Sequence, residues 1–386
     1  MNAHRDRTIR HSFTLTELLV VIMVISILAS SMLFAMYTAV EQAKESRTRA
    51  QIAKLHELLV SRWDSYRTRA IRLQGFPAQA RRDARAVATA RLLAFRDLMR
   101  MELPDRKADL FRADGTADGP FSYTLQYNTP SGTPATTPPF IVGRPAVFRE
   151  YQRRVLVLPG GSATWTEEHE DAECLYMIVA SMQDIMGNAL DFFQETEIGD
   201  TDEDGLPEIL DAWGNPLAFI RWAPGFLEHP GVDFNFGDDN DIPSYSSLHN
   251  LYTTDPVTGF VAADVSGCPD PFDPLRVDSR AAVDMDPDGA GSAQYYFGFS
   301  LYPLVCSAGA DGAFDIIRRD YDPDDPTSRF FFDFYRTGSN PYCPPGWNAW
   351  PNDPYSVLPT CEKRLGEPFL ESFGYKDNIT NHAMGG

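Results

Sequence analysis

An α+β protein, with one long N-terminal α-helix packed on a mostly antiparallel β-sheet head with enlarged loops, is what this sequence predicts. Three observations carry that prediction. Leu18–Val40 runs 23 residues without a formal charge. From Glu41 the apolar residues Ile52, Leu55, Leu59, Trp63, Tyr66, Ala70 and Leu73 recur at spacings of three and four. Beyond residue 200, short aromatic and β-branched runs such as Leu217–Trp222 and Tyr295–Val305 alternate with Asp, Gly and Pro clusters, the pattern of strands joined by long loops.

The first segment, residues 1–12, carries Arg5, Arg7 and Arg10 against one acid, Asp6. Residues 13–40 follow as a span long enough to cross a bilayer, which takes about 20 apolar residues. The preceding arginines place residues 1–12 in the cytoplasm. A secretory signal peptide cut near Ala29-Ser30-Ser31 and a plain signal anchor would share these traits, but neither accounts for Glu17. A carboxylate inside an apolar span costs up to ~3 kcal/mol at mid-membrane, so ordinary anchors avoid it. Cleavage between Ser12 and Phe13 would create an α-amine four residues before Glu17. In a bundle of such helices, Glu17 of one subunit would pair with the amine of the next, and the low dielectric that penalises the lone acid would strengthen the pair.

Residues 41–74 continue the helix with one apolar stripe and a basic outer face of Lys54, Arg62, Arg67, Arg69 and Arg72. No Pro or Gly interrupts Phe13–Gln74, which predicts one helix of about 60 residues, roughly 90 Å long, ended by Gly75 and Pro77. Residues 75–199 read as a helical and loop insertion region. Gln79–Leu103 is a second helix, whose Arg81, Arg82, Arg85, Arg91, Arg96 and Arg100 read as a solvated face. Asn128–Pro139 reads as a loop. A third helix is expected from Thr164, where Thr164-x-x-Glu167 fits a capping box.

Residues 200–386 form the acidic, β-rich head. Residues 1–112 hold 20 of the 34 Lys+Arg and 11 of the 54 Asp+Glu, so a basic front precedes an acidic body that holds 14 against 43. That asymmetry argues against nucleic acid as a partner and favours divalent cations or a basic surface. Asp200-Thr-Asp202-Glu-Asp204-Gly205 puts carboxylates at positions 1, 3 and 5 and Gly at 6 of a calcium loop, with Glu208 at position 9. Position 12 is Asp211, where an EF-hand has a longer Glu. Asp284-Met-Asp286-Pro-Asp288-Gly289 repeats only the front half.

All five cysteines lie beyond residue 170 and none forms a CxxC pair, so neither a zinc knuckle nor a thioredoxin-like site is suggested. Outside the cytoplasm, Cys343 and Cys361 could staple a Pro-rich loop, whereas Cys174 sits in an apolar run and reads as core. No sequence feature predicts an enzyme: GxSxG, P-loop and Rossmann patterns are absent, and His169-Glu170 fails HExxH because Glu173 stands at the second His.

The run Ser12-Phe13-Thr14-Leu15-Thr16-Glu17, continuing into Leu18–Ile22, resembles the class III signal of type IV pilins and type II secretion pseudopilins. The resemblance implies a prepilin peptidase that cuts before Phe13 and methylates its new amine, and a Glu17 that guides docking into a filament. Ser12 stands where that family usually has Gly. Asp211-Ala-Trp213-Gly214-Asn215-Pro216, Ser307-Ala-Gly309-Ala310-Asp311-Gly312 and Asp377-Asn378-Ile379 are similar to three patches of the major pseudopilin. In that family the second and third patches meet around one structural calcium, which implies Ser307 (through its carbonyl), Asp311 and Asp377 as ligands. Two departures stand out: residues 313–376 intervene between the patches, and Asn378 replaces an acid. The implied role is a structural subunit in the inner membrane, single-pass, with a cytoplasmic N-terminus and a periplasmic head. Its implied partners are other pilin or pseudopilin subunits, the prepilin peptidase and the membrane assembly platform. The alternative is a membrane-anchored, calcium-dependent binding protein or adhesin with the same leader.

Overall fold

The computed structural model describes residues 15–184, 187–223, 252–254, 261–263, 270–275, 277, 279–283, 293–297, 301–314, 316 and 378–381. Helix α1 (Leu15–Thr68) opens the chain and runs through two compact units, residues 1–47 and 48–386. In the first unit its apolar side chains, Leu18 and Ile22 through Phe34 and Val40 among them, are exposed all round. This is the one helix among the described residues long and apolar enough to cross a membrane. In the second unit Ile52, Leu55, Leu59, Trp63 and Tyr66 form the predicted stripe and are buried.

The helix ends at Thr68, short of the predicted Gln74. Leu73–Gln74 becomes strand β1, which gives its backbone bonds to a partner strand instead of to the helix. Gly75 turns the chain at φ +86°, where a Cβ would sit 2.8 Å from the Pro139 carbonyl oxygen. Helix α2 (Ala84–Glu102) starts later than Gln79 because Asp83 caps it, accepting from the amides of Arg85 (3.0 Å) and Ala86 (3.3 Å). Helix α3 (Lys107–Leu110) is a single turn.

Asn128–Pro139 is not the loop its composition suggests. Strands β2 (Gln126–Asn128) and β3 (Pro134–Thr136) make a hairpin, and the Thr, Ser and Gly residues are its turn, with Thr129 Oγ1 hydrogen-bonded within it. Strand β4 (Ile141–Val142) pairs with β1, and helix α4 (Ala146–Leu156) follows. The expected capping box at Thr164 does not form. Thr164 instead closes a short 3₁₀ turn, donating to the Gly161 carbonyl, and helix α5 spans Glu170–Ser181. Two short hairpins come next, β5 (Gln183–Asp184) with β6 (Gly187–Asn188) and β7 (Ile198–Gly199) with β8 (Glu208–Ile209).

Strand β9 (Ala218–Ile220) begins the sheet that closes the head. Strands β10 (Tyr252–Thr254), β11 (Val261–Ala263), β12 (Ser279–Val283) and β13 (Ala293–Phe297) form a separate sheet of order β10-β11-β13-β12, parallel only between β11 and β13. The predicted strand Tyr295–Val305 is therefore two elements, β13 and β14 (Leu304–Ser307). Strand β15 (Ile379–Thr380) completes an antiparallel sheet of order β15-β14-β9. The fold is α+β, with several small sheets where one larger sheet was expected.

One core unites α1, α2, α4, α5 and the β15-β14-β9 sheet, joining Ile52 and Trp63 to Phe95, Tyr151, Ile178 and Phe219. Arg96 and Arg100 enter it, contrary to the solvated face read from the sequence, while Arg81, Arg82, Arg85 and Arg91 are exposed. The reason is a set of buried acceptors. Arg100 donates to Asp97 (3.0 Å) and to the carbonyls of Asp109 and Gly119 (2.7 Å each). Arg221 donates to Asp109 (2.6 Å) and to the Leu103 carbonyl (2.8 Å), and its backbone amide donates to Asp105. Glu102 accepts from Tyr66 (3.0 Å), Arg62 (3.2 Å) and Arg69 (2.6 Å), fastening α2 to the end of α1.

Burial alone would push the Asp109 carboxyl up, but attraction from Arg221, then Arg106 and Arg100, outweighs it and holds the group well below the usual carboxylate range. Its contribution to stability is complete above the unfolded pKa of about 3.9 and is lost as pH falls below that value. Asp109→Ala takes a carboxylate from the buried Arg106 and Arg221, leaving Arg221 only Asp105, and should cost about 3–5 kcal/mol of unfolding free energy at neutral pH, read from the urea midpoint. A loss under ~1 kcal/mol would show that the guanidiniums rehydrate and that the network does not hold the head.

Candidate functional site

The sequence-predicted residues fall in three places. Ser12 and Phe13 lie outside the described residues, as do Asp377, Cys343, Cys361 and the Asp284–Gly289 run. Glu17 stands in the first turn of α1, where a carboxylate complements the helix dipole. Asp200, Asp202 and Asp204 are on the connection between β7 and β8, Glu208 opens β8, and Ser307 and Asp311 are at the end of β14 and just after it.

The β7–β8 connection folds tightly. Asp200 accepts from the Gly205 amide (3.0 Å), Asp202 from the Asp204 amide (3.4 Å) and Asp204 from the Leu206 amide (2.9 Å). Gly205 has φ +97°, the left-handed conformation for which position 6 needs glycine. One oxygen each of Asp200, Asp202 and Asp204 lie within 4.8 Å of one another. Trp165–Thr166, arriving from the turn before α5, braces the loop: the Thr166 amide donates to Asp204 (2.7 Å) and its hydroxyl to Asp202. Glu208, fully buried, accepts from the Thr201 amide and hydroxyl at 3.0–3.2 Å.

A residue that sequence reasoning did not place here completes the group. Glu173 lies in the first turns of α5 and is fully buried. Its Oε2 accepts from the Trp165 indole, and no donor reaches its Oε1. One oxygen each of Glu173, Asp202 and Glu208 lie within 4.8 Å of one another. Burial, then repulsion from Asp204, a carboxyl–carboxylate hydrogen bond with Asp204 and repulsion from Asp202, push the Glu173 carboxyl up to about 10, against the Trp165 hydrogen bond. Burial likewise pushes Glu208 up to about 7, against the Thr201 hydrogen bonds. Such a set of hard oxygen donors suits a cation of the calcium or magnesium type. The available signal was an acid immediately before the apolar run Cys174–Ala180, on a helix whose buried face it must share.

Asp211, position 12 of the loop motif, is committed elsewhere. Its Oδ1 accepts from the amides of Trp213 (2.8 Å) and Asn215 (2.9 Å), and its Oδ2 from the Ser307 hydroxyl (2.7 Å). The Ser307 oxygen accepts in turn from the Gly309 amide (3.1 Å), and Asn215 donates to the Gly309 carbonyl (3.3 Å). The Trp213–Pro216 turn and the Ser307–Gly312 loop are thus latched together beside the sheet. Asp311 is exposed and accepts from the Ala313 amide (2.9 Å).

The family comparison falls on the other end of the chain. Residues 7–33 match the prokaryotic N-terminal methylation motif. That motif, running into a 54-residue helix with an exposed apolar first half, fits a type IV pilin-like protein. No curated protein and no solved structure matches the chain.

Ser307→Ala strands a buried Asp211 oxygen and the Gly309 amide, so it should lower unfolding free energy by about 1–3 kcal/mol. An unchanged thermal midpoint would show that the Asp211–Ser307 latch adds nothing to the sheet.

Proposed function

We propose that this chain is a structural, pseudopilin-like subunit of a type II secretion pseudopilus or a type IV pilus-like filament. The observation that carries the reading is the methylation motif at residues 7–33 flowing into an apolar helix that leaves its side chains uncovered from Leu18 to Val40. Such a surface belongs in lipid before assembly and against neighbouring helices after it. The prepilin peptidase removes residues 1–12 and methylates Phe13. In the filament, Glu17 pairs with the Phe13 amine of the next subunit and sets the stagger between helices.

The leader stays on the cytoplasmic side, and the acidic head lies in the periplasm. Support for a pseudopilin-like head comes from three patches sharing one small sheet: Asp211–Pro216 leads into β9, Ser307 ends β14, and Ile379 lies in β15 beside it. Calcium on the Asp200–Glu208 loop is the ligand that its carboxylate spacing favours, and its role is structural: it offsets local negative charge where acidic heads pack side by side. For the family-type ligand set of Ser307, Asp311 and Asp377, the reading rests on the sequence resemblance.

Mass spectrometry of the protein produced with a prepilin peptidase should find a mature N-terminus at Phe13 carrying one methyl group. A chain that keeps Met1, or begins after Ala29, overturns the reading. Glu17→Ala should be cleaved normally yet be missing from sheared filaments, and wild-type incorporation would remove Glu17 from assembly.

A further inference from the structure

Glu173 is a buried acid placed among acids. Its Oε1 receives no hydrogen bond, and the side chains that face it are the carboxylates of Asp202, Asp204 and Glu208. Ionising an acid out of water beside other carboxylates costs several kcal/mol, so with nothing bound Glu173 stands there as a neutral acid. The chain nevertheless builds the arrangement with care. Trp165 fixes one Glu173 oxygen, Thr166 orients Asp202 and Asp204, and Thr201 orients Glu208. Each oxygen of Asp202, Asp204 and Glu208 takes a donor that fixes its direction and keeps a second lone pair, while Glu173 Oε1 takes none, so the oriented set still has lone pairs to offer a cation.

We infer that Glu173 is the inner jaw of a calcium clamp, supplying from α5 the carboxylate that Asp211 cannot supply from the loop's own twelfth position. This rests on the calcium reading of the Asp200–Glu208 loop and goes beyond it. Asp202 belongs to both groups of converging oxygens, with Asp200 and Asp204 on its outer side and Glu173 and Glu208 on its inner side. Two groups of three carboxylates that share Asp202, on a loop and a helix, favour calcium over magnesium, which keeps its waters and accepts fewer protein oxygens. Because α5 is a core helix and the loop leads through β8 to β9, the ion ties the outer loop to the packing of the head.

The test uses the full chain in detergent, with calcium chloride as the probe, followed by calorimetric titration and thermal melting. Calcium should bind and raise the melting temperature of the wild type. Glu173→Gln keeps the shape and an acceptor for Trp165, and it should weaken calcium binding by about tenfold or more. Metal-free, Glu173→Gln should melt no lower than the wild type, since a purely structural acid would do the opposite. Wild-type affinity in Glu173→Gln overturns the clamp and leaves the loop reading standing. A wild type indifferent to calcium overturns both, without touching the Phe13 test of the filament. Should Glu173→Gln fail to fold, terbium decides: excitation of tryptophan should sensitise bound terbium through Trp165, and calcium should quench the emission by displacing the ion. Emission at wild-type strength in Trp165→Phe would place the ion away from Glu173 and overturn the clamp.

Discussion

Arg221 is a guanidinium with almost no access to water, at the end of β9, and the head is arranged to meet it. Asp105 reaches it from the short connection after α2 and Asp109 from α3, and the Leu103 carbonyl takes another of its bonds. Asp109 also faces Arg106, and its carbonyl accepts from Arg100, so the charges form a chain running back into α2. A charge chain of this kind is costly to bury, and taking out one member leaves its partners buried and less compensated. The position of β9 against α2, and with it the latch beside Ser307, follows from keeping those partners together.

Helix α1 works under a different constraint. One continuous run of backbone has an apolar surface on every side over its first half and a single buried stripe over its second. The change comes near Arg47, with no proline or glycine to mark it. Composition alone makes the switch: charged residues return to the outward positions while Ile52, Leu55, Leu59, Trp63 and Tyr66 keep the inward ones.

Periodicity revealed α1 and its stripe because helical spacing is a local property that burial merely follows. The small sheet's strands were visible as apolar runs, yet the pairing of β14 with β9 and β15 depends on residues far apart in sequence. The arginines of α2 were misjudged for the same reason. Arg96 and Arg100 look like a wet face until Asp109, Asp118 and Asp270 are brought to them by later parts of the chain. The calcium loop motif was legible as carboxylates at alternate positions, but Glu173 was not. Its place beside the loop comes from the loop packing onto α5, and the commitment of Asp211 to Trp213 and Ser307 likewise depends on residues brought together by the fold.

Asn381 sits at the seam of the small sheet. Its side chain accepts from the Val305 amide (2.8 Å) and donates to the Pro303 carbonyl (2.9 Å), and its amide nitrogen is 3.0 Å from His56 on α1. His56 and Asn381 are 325 positions apart. During synthesis, α1 would therefore be complete long before the residue that closes the sheet has been made. Until then β14 lacks its outer strand, and the half-built head shows open sheet edges to whatever surrounds it. Closing the head is thus a matter of timing: β14 keeps an edge open to a neighbouring strand until residues 379–381 have been made.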